Sequence, residues 1–279
     1  WGVALLYVTT TDGAQNNTVS SNIIDLNRVY QNTFGIYSNS THSASSVTAS
    51  ATATTTAGGN SNLTVIANII TDINIGIVVI GPTAAADNND GLTIGGTALN
   101  VNTITNYGTT NLFSGYANVS LTVNGILVRN TKNLNVSFNT VSSSVGGVIS
   151  GILNGINLTA FSNAPAGTFT NTINNNNLSL QSGVAVSAIN GILAATSTAT
   201  TTSSLNINNN NFSNFGHTVS GFGTITFITV SGSATTGPLN TNINGNTFNN
   251  ISVNTTGSVT FISNRFTHTA GSVVNVNNN

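Results

Sequence analysis

The chain predicts an all-β solenoid, about seven coils of roughly 36 residues each, and three observations carry that prediction. An asparagine recurs eight times inside one pattern: an apolar residue, Asn three positions later, and a second apolar residue two positions after that. The residues around it alternate and are β-branched or amide-bearing, as in Leu205-Asn206-Ile207-Asn208. No i, i+3, i+4, i+7 apolar face is sustained, so strands fit and helices do not. The composition is polar yet almost uncharged. Of 279 residues 49 are Asn, while charged residues make up 3% against about 25% in an ordinary globular domain.

Taken in order, the copies begin at Ile24 (Asn27, Val29), Val65 (Asn68, Ile70), Leu99 (Asn102, Ile104) and Val136 (Asn139, Val141). They continue at Ile173 (Asn176, Leu178), Ile207 (Asn210, Phe212), Ile243 (Asn246, Phe248) and Val276 (Asn279). The spacings are 41, 34, 37, 37, 34, 36 and 33 residues, one structural unit laid down repeatedly with loops of variable length. Asn is a poor residue for the middle of a strand or helix. It tolerates left-handed backbone angles, and its side chain satisfies local backbone groups in turns, so one Asn per coil belongs at a corner. If coils stack at the strand-pairing distance of about 4.8 Å, each carboxamide can donate to the carbonyl oxygen of the next.

That column resembles the asparagine ladder of the right-handed parallel β-helix, the architecture of the pectate-lyase-like superfamily, and the resemblance covers nearly the whole chain. It implies that Asn27, Asn68, Asn102, Asn139, Asn176, Asn210, Asn246 and Asn279 form the ladder between the second and third strands of each coil. Ile24, Val65, Leu99, Val136, Ile173, Ile207, Ile243 and Val276 are then inward residues ending one strand. Val29, Ile70, Ile104, Val141, Leu178, Phe212 and Phe248 open the next. The ladder belongs to the packing of the fold and carries no chemistry.

A further strand per coil is visible as short apolar runs, several introduced by Gly: Gly35-Ile36, Gly76-Ile77, Gly125-Ile126, Gly151-Ile152 and Gly191-Ile192, then Thr226-Phe227 and Thr260-Phe261. Their distance from the asparagine varies, so insertions fall mostly outside its corner. The Ser, Thr, Ala and Gly tracts at 47–62 and 195–204 cannot bury much area and are expected to be surface loops. Stacked coils bury a continuous core that no single coil could, and one elongated domain over residues 1–279 is expected. Neither end carries a polar cap, and the chain reads as a segment of a longer solenoid with coils before Trp1 and after Asn279.

Charge limits the partners. Four basic residues (Arg28, Arg129, Lys132, Arg265) stand against five aspartates, a net charge of −1 with no cluster of either sign. Nucleic acid, bound largely through phosphate neutralisation, is disfavoured, and so is a membrane surface. The longest apolar run, Ile75–Ile80, is far short of the ~20 residues of a spanning helix, so no membrane insertion is expected. Cysteine is absent and gives no reading of the redox compartment. Ten Asn-X-Ser/Thr triplets, among them Asn211-Phe212-Ser213, follow from the composition alone.

The enzymes of this fold that act on polysaccharides draw carboxylates from one face of the helix. General acid–base chemistry on sugars needs two carboxyl groups roughly 5–10 Å apart. Here there is no Glu, and Asp12, Asp25, Asp72, Asp87 and Asp90 all lie in the first third. The run Asp87-Asn88-Asn89-Asp90-Gly91 could fold round a calcium ion through Asp87 and Asp90. It lacks the spacing and distal Glu of an EF-hand loop, and a polar Asx-turn is the plainer reading. His42, His217 and His268 stand alone in sequence, and Arg28 and Arg265 read as surface groups. Phe212, Phe227, Phe248 and Phe261 fall on inward positions. Tyr30 and Tyr37 are freer, and Tyr107 and Tyr116 could project from a loop toward glycans.

The expectation is a structural and adhesive rod segment with no catalysis and no required cofactor, in a large secreted or cell-surface protein or filament. It is similar in composition and repeat style to the Asn- and Thr-rich β-helical repeats of large exported bacterial adhesins. Its partners are neighbouring coils of the same protein or a second copy end to end, and glycans. The alternative is a carbohydrate-binding or polysaccharide-degrading β-helix, which would require Asp72, Asp87 and Asp90 to converge in a groove.

Overall fold

The structure is a computed structural model that describes residues 1–6, 9–30, 32–39, 53–84, 88–108, 123–143, 152–159, 167–197, 202–233 and 237–279. Apart from a 3-10 turn at Thr56–Gly58, the regular elements among these residues are all strands. Three long sheets dominate, and every strand pair within them is parallel. The first wall stacks Thr18–Ser20, Thr64–Ile66, Thr93–Gly95, Asn135–Ser137, Thr170–Asn174, Ser203–Asn208, Leu239–Asn244 and Val274–Asn277. The second stacks Ile23–Asp25, Ile69–Ile73, Thr103–Tyr107, Thr140–Ser143, Asn177–Ser182, Asn211–Ser213 and Thr247–Asn249. The third runs from Val3–Leu6 through Phe34–Asn39, Ile75–Ile80, Val123–Arg129, Leu153–Thr159, Ile189–Ser197 and Ile225–Ser233 to Val259–Asn264. The chain visits the walls in a fixed cyclic order, an arrangement consistent with a parallel β-solenoid.

Register follows from the period of two along each strand, which sends one apolar residue per short strand inward. In the first wall Val19, Val65, Ile94, Val136, Ile173, Ile207, Ile243 and Val276 align across successive strands. In the second, Ile24, Ile70, Ile104, Val141, Leu178, Phe212 and Phe248 do the same. With Ile36, Ile77, Ile126, Ile156, Ile192 and Ile228 of the third wall, most of them belong to one apolar cluster reaching from Val19 to Phe266. Each such side chain contributes roughly 1.5–3 kcal/mol on burial, so the core grows by a similar increment with every coil.

Two assignments from the sequence are corrected by this register. Ile24 belongs to the second wall, facing Ile70, and Val19 is the inward residue before the corner. Asn27 is exposed and closes a local turn, its Oδ1 accepting from Val29 N–H at 3.1 Å, so Val29 opens no strand. Leu99 is 93% exposed, and Ile94 takes its inward place. Between Ile94 and Asn102 the chain inserts extra residues at the corner through Gly95 and Gly96, at φ +81° and +86°. A third correction concerns the strand ascribed to Gly151-Ile152. Ile152 is 40% exposed, and the strand is Leu153–Thr159 with Ile156 in register, while Gly151 lies outside the described residues.

Glycine shapes the contact between the second and third walls. A Cβ placed on Gly2, Gly35, Gly76, Gly125, Gly155 or Gly191 would stand 2.4 to 2.8 Å from the inward side chain of Ile24, Ile70, Ile104, Val141, Leu178 or Phe212, respectively. None of the six has a positive φ, so the requirement is space rather than backbone freedom. The next two strands carry Phe227 and Phe261 instead. There rings meet edge to face across the walls, Phe227 against Phe248 at 5.3 Å and Phe248 against Phe261 at 5.1 Å.

The opposite face of the early third wall is also apolar. Phe34, Tyr37, Ile75, Val78, Ile80 and Leu127 form a second cluster, each at most 1% exposed, with Trp1 stacked on Tyr37 at 5.8 Å. A strand buried on both faces loses its alternation, which is why Ile75–Ile80 reads as a continuous apolar run.

Candidate functional site: amide columns and charged corners

At the corner between the first and second walls, one residue adopts left-handed backbone in nearly every coil, and it is the one before the aligned asparagine. Ser21, Ala67, Phe138, Asn175, Asn209, Gly245 and Asn278 have φ between +54° and +65°. This bend turns the following side chain into the wall and along the stacking direction. Asn22, Asn68, Asn102, Asn139, Asn176, Asn210, Asn246 and Asn279 are then joined by Nδ2–H donation to the Oδ1 of the next coil, at 2.8 to 3.0 Å throughout. Asn22 stands where the sequence pattern placed Asn27.

Each carboxamide also reaches backward. Nδ2 of Asn68, Asn102, Asn139, Asn176, Asn210, Asn246 and Asn279 donates to the carbonyl of Val19, Val65, Ile94, Val136, Ile173, Ile207 and Ile243, at 2.8 to 3.0 Å. One side chain therefore ties together three successive coils. From Asn68 to Asn246 these side chains are 0–1% exposed, where an unpaired amide would cost about 1–3 kcal/mol. Between carboxamides the direction is uniform, each Nδ2 donating to the Oδ1 of its C-terminal neighbour.

Shorter amide series were not legible in the sequence. Asn60 Oδ1 accepts from Ala14 N–H at 2.9 Å, and Asn60 N–H donates to Asn89 Oδ1 at 2.8 Å, at the corner from the third wall to the first. On the outer face of the first wall Asn275 donates to Asn242, and Asn242 to Asn206, at 2.8 Å each. In the third wall Asn190 donates to Asn154 and Asn154 to Asn124, at 2.9 and 3.0 Å.

The charged residues lie on separate corners. Asp72 is the penultimate residue of the second-wall strand Ile69–Ile73, with φ +50°, and its Oδ1 accepts from Asn106 Nδ2, whose Oδ1 in turn accepts from the Arg28 guanidinium. Partial burial lowers the pKa of Arg28 from the ordinary arginine value, and the charge of Asp72 raises it again. Asp25 sits across from Thr71, beside Asp72. Asp90 lies beyond the third wall, accepting from Asn133 Nδ2 at 2.8 Å and facing Lys132 Nζ at 3.7 Å. Asp72 and Asp90 therefore occupy different corners, each with a cationic or amide neighbour. Asp87, His42 and Tyr116 lie outside the described residues.

Among the described residues no three His, Cys, Asp or Glu side chains gather as a metal-binding group, and no helix is long and apolar enough to cross a membrane. His217 is buried, with Nδ1 3.1 Å from the Val184 carbonyl oxygen. His268 packs edge-on against Phe266 at 4.9 Å. Burial lowers the pKa of Arg129. Tyr107 does not project from a loop: it is fully buried, donating its hydroxyl to the Asn154 carbonyl at 2.8 Å, and burial raises its pKa well above 10.0. Tyr37 is likewise buried, its hydroxyl accepting from Asn39 Nδ2 at 2.8 Å. Comparison with family models, with curated proteins and with solved structures found no match.

Proposed function

We propose that this chain is a structural and adhesive rod segment, a right-handed parallel β-helix of the pectate-lyase-like kind with an asparagine ladder, working in a large secreted or cell-surface protein or filament. The reading assigns it no catalytic residue and no cofactor. The observation that carries it is the continuous amide column from Asn22 to Asn279, each member from Asn68 to Asn246 bonding to the coils before and after it. Pulling the coils apart requires these buried bonds to break together with the parallel strand pairing, so the column resists unravelling. Seven traversals of the walls at ~4.8 Å each span about 35 Å.

Composition supports an exposed setting. An exterior of Asn, Thr and Ser with 3% charged residues gives little electrostatic attraction to nucleic acid or anionic surfaces, and it is insensitive to salt. The uniform polarity of the column supports the proposed partners: further coils of the same protein, or a second copy end to end, would meet donors with acceptors. The test is single-molecule extension with handles on Trp1 and Asn279. The rod reading predicts successive force peaks, each releasing roughly 12 nm for a coil of about 36 residues at ~3.5 Å per residue. Smooth lengthening at negligible force would contradict it.

A further inference from the structure

Outside the walls, in the coils nearest the C-terminal end, two loops lie side by side. Gly221 and Thr255 pair as an isolated parallel bridge, Thr256 N–H donates to Gly221 O at 2.9 Å, and Thr255 Oγ1 donates to Gly223 O at 2.6 Å. Phe222 N–H is held in turn by Ala185 O at 2.9 Å, so a third segment supports the pair from behind. Between them opens a cleft of about 350 Å³, lined by Ser220, Gly221, Val253, Asn254, Thr255 and Thr256. It is an open surface depression, at the small end of the range of about 300–1,000 Å³ usual for ligand sites.

The cleft's chemistry selects among ligands. Every polar group lining it is neutral, and no Asp, Glu, Lys or Arg occurs anywhere from residue 133 to 264. A charged ligand would find no counter-ion there. Ser220 Oγ donates to Asn254 Oδ1 at 3.0 Å, which orients the amide and leaves the Asn254 Nδ2 donors and the hydroxyl lone pairs adjacent. Paired donors and acceptors of this kind match vicinal hydroxyl groups. The lining also holds one apolar side chain, Val253, and the exposed Val219 and Phe222 flank Ser220 and Gly221 in the chain. An apolar wall beside neutral hydrogen-bonding groups suits a ligand with one hydroxylated edge and one C–H face. We propose that the cleft between the 219–222 and 253–256 loops binds a neutral saccharide.

The experiment is an amide-resolved NMR titration of the whole chain with glucose, galactose, mannose, N-acetylglucosamine and cellobiose, with galacturonate as the charged comparator. Saturable shifts confined to 219–222 and 253–256 are expected with at least one neutral sugar and not with galacturonate. Tighter binding of cellobiose than of glucose would identify the interior of a polysaccharide as the source, and equal binding a free or terminal sugar. Two variants keep the fold: Asn254→Gly, which tolerates the local φ of +39°, and Phe222→Ser at an exposed position. Both are expected to weaken binding about tenfold or more. The proposal is overturned if no sugar gives saturable shifts at these loops, if both variants bind as the parent does, or if galacturonate binds as well as the neutral sugars.

Discussion

Asn139 donates twice to one atom of Asn176: its backbone N–H and its Nδ2 both reach Asn176 Oδ1 at 3.0 Å. The same Nδ2 reaches back to Ile94 O at 3.0 Å, and Asn139 Oδ1 accepts from Asn102. Asn139→Ala removes these three side-chain bonds at a 0% exposed position, keeps the backbone donation to Asn176, and leaves Asn102 Nδ2 with only its bond to Val65 O. A loss of about 3 kcal/mol is expected in urea denaturation. Asn27→Ala, at an exposed turn outside the column, is expected to cost no more than about 0.5 kcal/mol.

Gly125 tests the spacing of the walls. Its added Cβ would lie 2.4 Å from Val141 Cγ1 and 2.8 Å from the backbone oxygen of Gly155, and the latter cannot yield without moving a strand. Gly125→Ala should lower stability by about 3 kcal/mol. Gly167→Ala, with nothing within 4 Å and strained only by its φ of +80°, should lower it by about 1 kcal/mol in the same assay.

The corner before each aligned asparagine stores backbone strain where the residue has a Cβ. Ala67 holds φ +56°, and Gly245 holds +65° at the equivalent position. Ala67→Gly should raise stability by about 0.5–1 kcal/mol, and Gly245→Ala should lower it by about 1 kcal/mol. Opposite shifts in Tm would show both.

How far the fold is legible in the sequence can be judged at two corners. The pattern of apolar residue, Asn and apolar residue fits Val19-Asn22-Ile24 as well as Ile24-Asn27-Val29, because Ile24 ends one match and begins the other. A near-uniform period is met by the second, 41 residues before Asn68, and not by the first. The interval from Asn22 to Asn68 is 46 residues, an insertion in the first coil that breaks the period at its start. At Leu99 the spacing of the asparagine is unaffected, but Gly95-Gly96 lets the corner bulge and throws Leu99 into solvent. That Gly-Gly pair was the available signal. The buried roles of Tyr37 and Tyr107 are not legible: the Tyr107 hydroxyl meets a carbonyl 47 residues away, and Tyr37 is covered by Trp1 and the second apolar cluster, which no local pattern shows. The lateral loops carrying Ser220 and Asn254 have no repeat signature at all.

Alkaline pH should destabilise the fold through Tyr107. Burial raises its folded pKa well above 10.0, whereas in the unfolded chain it ionises near that value. Above about pH 10 the unfolded state therefore binds fewer protons than the folded one, and stability falls with rising pH, by up to ~1.4 kcal/mol per unit for this residue. Tyr107→Phe loses the bond to Asn154 O and about 1 kcal/mol at neutral pH. Its stability should decline less steeply above pH 10, which urea titrations at pH 8 and 11 would reveal.

The central claim is that the stacked carboxamides carry load, and its most direct test is the lifetime of the chain under constant tension. Handles on Trp1 and Asn279 would be used for the parent chain, the double variant Asn139→Ala with Asn176→Ala, and the surface control Asn27→Ala. The account predicts a lifetime for the double variant at least about a hundredfold shorter, as loss of several buried bonds implies, with the control unchanged. Equal lifetimes for all three would contradict a load-bearing column.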